Sequence, residues 1–266
     1  MLCKILGISR GSYYYEPKPS RDESHLEGAV QTAFENSRGV YGSRKIKKVL
    51  SNKGLTISRR KICRIMKRRG LSSVYSRKRY KNRNKKCNNS ITPNLLARNF
   101  NDHERLAVVA SDLTYVRVGS KWNYVCILLD LHNREIIGHS SGVNRDAALV
   151  RSVFASAKVN LQKIQLFHTD RGSEFENILI NDLLETFGIG RSLSLKGCPY
   201  DNAVAESTFK MIKVEFIYRR FFNTPEQLKL ELMDYVHWFN NIRIHSSLGY
   251  ISPVQFRTRT LSFLSN

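Results

Sequence analysis

The chain is short of acidic charge. Its 266 residues include 22 Asp and Glu against 44 Lys and Arg, a formal net charge of +22. The deficit is uneven: residues 1–100 hold 25 basic and 5 acidic residues, and residues 101–266 hold 19 and 17. Cysteine is scarce as well. Cys3, Cys63, Cys87, Cys126 and Cys198 lie far apart with no Cys-x-x-Cys pair, so neither a zinc ribbon nor a disulfide framework is indicated, and a reducing compartment fits. The seven histidines are scattered and form no zinc module. No apolar run reaches the ~20 residues of a membrane span. The opening "MLCKILGISR" is too short and too polar for a signal peptide. A basic front half on a near-neutral back half points to a polyanion-gripping part joined to a globular part, with nucleic acid the favoured partner over a membrane.

The front half carries helical signals. Residues 1–20 place Leu2, Ile5 and Leu6 at i, i+3, i+4, then a Gly7 turn, then Ser9 as an N-cap, and read as a partial helix-turn-helix. Residues 21–74 read as a helical DNA-binding module. Ile46, Val49 and Leu50 repeat the spacing, and Ile62, Ile65 and Met66 repeat it again, with Gly54 between them and Ser58 in a capping position. The second of these helices presents Arg59, Arg60, Lys61, Arg64, Lys67 and Arg68 as DNA-contacting candidates; the plainer alternative is a solvated charged face. Residues 75–100 are a basic linker without apolar periodicity, suited to lying along phosphates.

From about residue 104 the texture changes. "RLAVVASDLTYVRV", "WNYVCILLDLHN" and "EIIGHSSG" are rich in β-branched and aromatic residues and fit an antiparallel meander. Helices and strands then alternate: "DAALVRSVFASAKVN", "IQLFHTD", "SEFENILINDLLETFG", "GRSLSL", and the long helix "DNAVAESTFKMIKVEFIYRR". Together these predict an α/β fold, a mixed five-stranded sheet flanked by helices over residues 101–225, preceded by the small all-helical module. Residues 226–266 read as a C-terminal helix and an extended tail.

Three carboxylates stand out. Asp112 lies inside the first strand, Asp170 ends the fourth, and Glu206 sits one turn into the long helix. If the two strands are neighbours and the helix crosses them, the three form a hard-cation site suited to Mg²⁺ or Mn²⁺, and two such ions serve in-line phosphoryl displacement. Asp130 is a rival third carboxylate, but its position closes the second strand. Lys210 and Lys213 follow Glu206 at i+4 and i+7 on the same face.

The spacing of Asp112, Asp170 and Glu206, with 35 residues between the last two, resembles the D,D-35-E pattern of retroviral-type integrases and related transposases. The words "SDLTYV", "WNYVCILLDLHNREIIG", "FHTDRGSEF", "GCPYDNAVAES" and "FNNIRIHSSLGYISP" resemble those of the second-frame (OrfB-type) transposases of bacterial insertion sequences, and "YGSRKI" and "RIMKRRGL" resemble that family's helical DNA-binding module. The sequence departs at Val109, where the family has tryptophan, and at Cys198, where it often has Asn; neither removes a carboxylate. The resemblance implies a ribonuclease-H-like core and two divalent ions held by Asp112, Asp170 and Glu206. It implies cleavage of element ends, with transfer of the 3′-hydroxyl to another phosphodiester. It also implies phosphate contacts by Lys210 and Lys213, a homo-oligomer on element-end and target DNA, and a first-frame product fused or associated, in the bacterial cytoplasm at the nucleoid. His168 either supports Asp170 or packs within its strand, and Asn202, with Asp201, reads as the cap of the Glu206 helix. The competing function is a catalytically idle DNA-binding regulator.

Overall fold

A computed structural model describes residues 2–16, 23–76, 96, 103–194 and 203–264. The chain opens with two single-turn helices, α1 (Leu2–Ile5) and α2 (Arg10–Tyr13), joined through Gly7 at φ +65°. Ser9 accepts from the Ser12 amide, as a capping residue does.

Three helices follow: α3 (Ser24–Asn36), α4 (Ser43–Asn52) and α5 (Arg59–Arg68). Their apolar stripes face one another, burying Val30 and Ala33 from α3, Ile46 and Leu50 from α4, and Ile62, Ile65 and Met66 from α5. Gly54, at φ +79°, takes the left-handed conformation in the turn between α4 and α5. Ser58 caps α5 by accepting from the Lys61 amide at 3.2 Å.

The back half is a five-stranded sheet in the order β3-β2-β1-β4-β5. Its strands are β1 (Val108–Val118), β2 (Lys121–Asp130), β3 (Ile136–Gly142), β4 (Leu166–Thr169) and β5 (Gly190–Leu193). β1, β2 and β3 form the antiparallel meander, and β4 and β5 run parallel to β1 and to each other. One face is covered by α6 (Ala147–Ser156) and α7 (Ile178–Phe187), closing a cluster that includes Val109, Val153, Phe154, Phe167 and Ile180. The other face is covered by α8 (Ala203–Glu215) and α9 (Pro225–Asn241). The class is the expected mixed sheet flanked by helices with a helical module in front.

The second face extends into that module. One apolar cluster runs from Val30, Ile46 and Ile62 through Val116 and Ile127 to Phe209, Trp238 and Phe239. Polar contacts cross the same seam: the Ile244 amide donates to Tyr41 Oη at 2.8 Å, and Arg38 pairs with Asp234 at 2.7 Å.

The C-terminal tail is helical, not extended. α10 spans Pro253–Leu264. Ser252 Oγ accepts from the Gln255 amide at 3.3 Å, and Gln255 Oε1 accepts from the Ser252 amide at 3.1 Å, a reciprocal cap with proline at the first helical position. Arg257 then pairs with Glu135 at 2.8 Å and ties the helix to the β2–β3 turn.

Candidate active site

The placement of the acidic residues begins with strand register. Val108, Val109 and Ala110 of β1 lie beside Leu166, Phe167 and His168 of β4. Carried two residues further, that parallel register sets Asp112 level with Asp170, at the point where β4 ends. Asp112 shares its sheet face with Thr114 and Val116 by strand alternation, and this face lies under α8. On α8, Ala205, Phe209 and Ile212 are buried, which anchors the helix on the sheet. Glu206, one residue round from that stripe and in the first helical turn, is exposed.

Electrostatics tie the three together. Burial pushes the Asp112 carboxyl up to about 7; the Leu113 amide, which donates to Asp112 Oδ1 at 2.7 Å, opposes the rise, and the charges of Asp170 and Glu206 add to it. Asp170 is raised by burial first, opposed by the Gly172 amide donating to its Oδ1 at 3.0 Å, and pushed further by Glu174. Glu206, exposed at its surface but partly desolvated by the neighbouring protein, is raised first by that desolvation, with Lys213 opposing and Asp170 adding. Asp170 thus raises both Asp112 and Glu206, and Glu206 raises Asp112, a concentration of negative charge that a cation relieves.

The donor set is all carboxylate oxygen, which suits a hard divalent ion. Among the described residues, no three His, Cys, Asp or Glu side chains stand close enough to enclose a metal. The all-carboxylate donor chemistry of Asp112, Asp170 and Glu206 nonetheless fits Mg²⁺ or Mn²⁺.

Two further residues hold the Asp170 loop, and sequence reasoning passed over both. Glu174 is buried, 3% exposed, and Arg145 donates to its Oε1 from Nε at 2.9 Å and Nη2 at 2.7 Å. A Cβ at Gly172 would stand 2.5 Å from the Glu174 carboxyl, so only glycine leaves that carboxyl in place. The signal was present: Gly172 and Glu174 both belong to the word "FHTDRGSEF". Gly172→Ala is expected to cost about 1–3 kcal/mol through overpacking and to displace the loop carrying Asp170. Thermal melts of this variant against Ser173→Ala check it; equal melting temperatures would mean the loop yields freely.

The other sequence candidates separate. His168 is fully buried, and its Nδ1 shares a 2.9 Å hydrogen bond with Ser192 Oγ on β5. Asp130 is fully buried at the end of β2, where its carboxylate accepts from the Leu106 amide at 3.2 Å and the His132 amide at 3.0 Å, which gives it a turn-closing role. Lys213 is half-buried and electrostatically coupled to both Asp112 and Glu206; Lys210 is exposed. Asn202 lies outside the described residues. In the helical module, Lys61 pairs with Glu23 at 3.0 Å, Arg68 pairs with Glu27, and Arg69 pairs with Glu27 at 2.8 Å. Arg59, Arg60, Arg64 and Lys67 make no ion pair among the described residues.

Known proteins resemble this chain over most of its length. Residues 102–199 and 206–261 each match a family described as "Integrase core domain", and residues 20–79 match an "HTH-like domain". The chain is 32% identical over 245 residues to the transposase for insertion sequence element IS904 of Lactococcus lactis, covering 90% of this chain and 97% of that one. It is 29% identical to the insertion element IS600 uncharacterized 31 kDa protein of Shigella sonnei, covering 97% and 98%. It is 28% identical to transposase InsF for insertion sequence IS3A of Escherichia coli K12, covering 98% and 94%. Among solved structures, the HTLV-2 integrase catalytic core overlaps with 13% identity and a TM-score of 0.45, covering 57% of this chain and 95% of that one. With its integrase core, its helix-turn-helix-like module and full-length likeness to these transposases, the chain belongs to the insertion-sequence transposase family of the OrfB type.

Proposed function

We propose that this chain is a polynucleotidyl transferase that cuts insertion-element ends and transfers each freed 3′-hydroxyl to a phosphodiester of another DNA segment. The observation that carries this reading is the parallel register of β1 and β4, which levels Asp112 with Asp170 beneath the helix bearing Glu206. These three carboxylates would hold two Mg²⁺ or Mn²⁺ ions, which when bound activate an attacking oxygen and stabilise the departing one. In each step one P–O bond forms and one breaks, and a proton passes from the attacking oxygen to the solvent while the leaving 3′-oxygen gains one. The chain itself positions the phosphate. The Arg145–Glu174 pair fixes the Asp170 loop, α8 carries Glu206 across the sheet, and Lys213 supplies positive charge beside both Asp112 and Glu206.

The substrates on this reading are element-end and target DNA, and the place of action is the bacterial nucleoid. The working form is a homo-oligomer on that DNA, and a first-frame product joins it by fusion or association. No helix of the described residues is long and apolar enough to cross a membrane. A catalytically idle regulator is the weaker reading, because Asp112, Asp170 and Glu206 are all present and the charges of the latter two act on Asp112. Joining assays with labelled ends and Mg²⁺ separate the two: joined product supports the enzyme, and binding alone supports the regulator.

Lys213→Ala tests the positioning role. Charge-assisted contacts to phosphate are worth about 1.5–3 kcal/mol, so strand joining is expected to fall tenfold or more with little change in melting temperature. Lys210→Ala, on the exposed side, is expected to act mainly on the DNA concentration for half-maximal rate. Unimpaired joining by Lys213→Ala would remove it from the site.

A further inference from the structure

A cleft of about 640 Å³ opens at the seam between the helical module and the core. Its walls come from the first turn of α4, from α8 and from the segment after α9, and they include Arg44, Lys45, Ser76, Ser207, Arg243 and Ser246. Ser207 is the residue next to Glu206, so the cleft begins beside the candidate active site. The cleft wall carries unmatched positive charge. Arg243 is consumed by Glu215, with hydrogen bonds of 2.6 and 2.8 Å. Lys45 stands 5.1 Å over the Tyr41 ring, and no carboxylate of the described residues lies within ion-pair distance of it. Burial, and then the charge of Arg243, bring the Lys45 ammonium down to about 8 against the pull of Glu215. A partly desolvated cation without a carboxylate partner favours an incoming anion. The exposed hydroxyls of Ser76 and Ser246 add the polar groups that phosphate oxygens take up.

On the other side of Arg44 lies a second cleft of about 510 Å³, lined by Arg44, Lys47, Lys48, Ser51, Arg59 and Tyr250. Among the described residues, no acidic side chain lines either cleft. Arg44 is common to both, so the two make one basic strip from Ser207, along α4, to the first residue of α5. In contrast, Lys61 and Arg68 on α5 and Arg69 just after it are paired with Glu23 and Glu27 at the start of α3.

We propose that this strip is a phosphodiester track. The DNA strand that leaves the carboxylate site passes through the seam cleft and along α4 to Arg59, so the helical module grips the same DNA molecule on which its own core acts. The direction of the strand rests on the strand-transfer reading; the grip itself does not. The track also assigns places to parts of the "FNNIRIHSSLGYISP" word that the chemistry left unused: Arg243 and Ser246 form the wall of one cleft and Tyr250 that of the other.

The test is DNA binding by the full chain without divalent metal, read by anisotropy of a short labelled duplex of arbitrary sequence across a salt series. Each phosphate contact contributes ~0.9 to the log–log slope. Arg44→Ala and Lys48→Ala, both at exposed positions, should each flatten the slope by about that amount. Lys45→Ala should do the same, while Lys45→Arg keeps the slope. Lys229→Ala, on the exposed side of α9, should leave it unchanged. In parallel, acetylation of Lys45 followed by mass spectrometry should fall several-fold when the duplex is bound, with Lys229 modified equally in both states. Wild-type slopes for Arg44→Ala and Lys48→Ala, or equal acetylation of Lys45 with and without DNA, would overturn the track. Neither readout involves catalysis. Flattened slopes with no joining activity would therefore remove the transferase reading and leave the track, and joining activity with unchanged slopes would do the reverse.

Discussion

Asp112→Asn is expected to make the metal-free protein more stable and to abolish strand joining. The Asp112 carboxyl is raised to about 7 in the folded chain, chiefly by burial, from about 3.9 in an unfolded one. Between those values the folded state binds more protons than the unfolded state, so stability falls as pH rises. Above pH 7 the buried carboxylate is charged, and its full cost is present. Each tenfold change in proton affinity corresponds to about 1.4 kcal/mol, so removing the charge should return roughly 2–4 kcal/mol at pH 8, several degrees in melting temperature. At pH 4 wild type and variant should melt alike. Divalent ions should raise the wild-type melting temperature at pH 8 and have less effect on the variant. Asp170→Asn and Glu206→Gln should also end joining, with DNA binding in each case close to wild type. Calorimetric melts at pH 4 and pH 8, with and without Mg²⁺, give the result; a variant less stable than wild type at pH 8 would show that Asp112 is not a burdened carboxylate.

The second large effect concerns Glu215, at the end of α8. Its side chain is fully buried and engages Arg243 Nε at 2.8 Å, Arg243 Nη2 at 2.6 Å, Tyr235 Oη at 3.1 Å, and Tyr75 Oη from the helical module. His245, neutral because burial and the neighbouring Arg243 bring its pKa down to about 2, lies 3.2 Å from Arg243 Nη1 and accepts from it. Glu215→Ala leaves Arg243 buried without a counter-charge and is expected to cost about 3–5 kcal/mol. The double variant Glu215→Leu with Arg243→Met should recover much of that loss, because a buried pair replaced by apolar groups of similar size is often neutral. A double-mutant cycle on melting free energies checks both statements; a loss under ~1 kcal/mol for Glu215→Ala would place the pair outside the structural core.

Much of the catalytic half was legible in the sequence because its signals are local. β1 is an apolar run containing an aspartate and β4 one that leads into another, and the antiparallel pairing of the first three strands followed from the meander. The level placement of Asp112 and Asp170 was conditional on pairing, which no single strand encodes. The tail, expected to be extended, is helical, and its start is written in Ser252-Pro253-Val254-Gln255, a capping box with proline after the cap. α3 carries a weak start signal in the sequence, since Glu23, at its N-cap, makes no side-chain cap bond. Charge counting favoured α5 as the DNA-contacting helix, since its basic run is denser. Glu23 and Glu27, at the start of α3 and some forty residues earlier, pair with Lys61, Arg68 and Arg69 of that run, and pairing at that distance does not show in a composition count. The same holds for Arg243 and His245, whose burial around Glu215 exists only once the module and the core are packed together.

The measurement that bears most directly on the central claim is strand joining by the full wild-type chain. The DNA ends flanking its reading frame, labelled at the 5′ terminus of the transferred strand, are incubated with unlabelled target DNA and Mg²⁺, beside Glu206→Gln. A transferase that works through the three carboxylates yields labelled strands extended by attachment to target in the wild-type reaction, and none in the variant. Labelled strands that are shortened but never joined, or joined product of equal yield from Glu206→Gln, would contradict it.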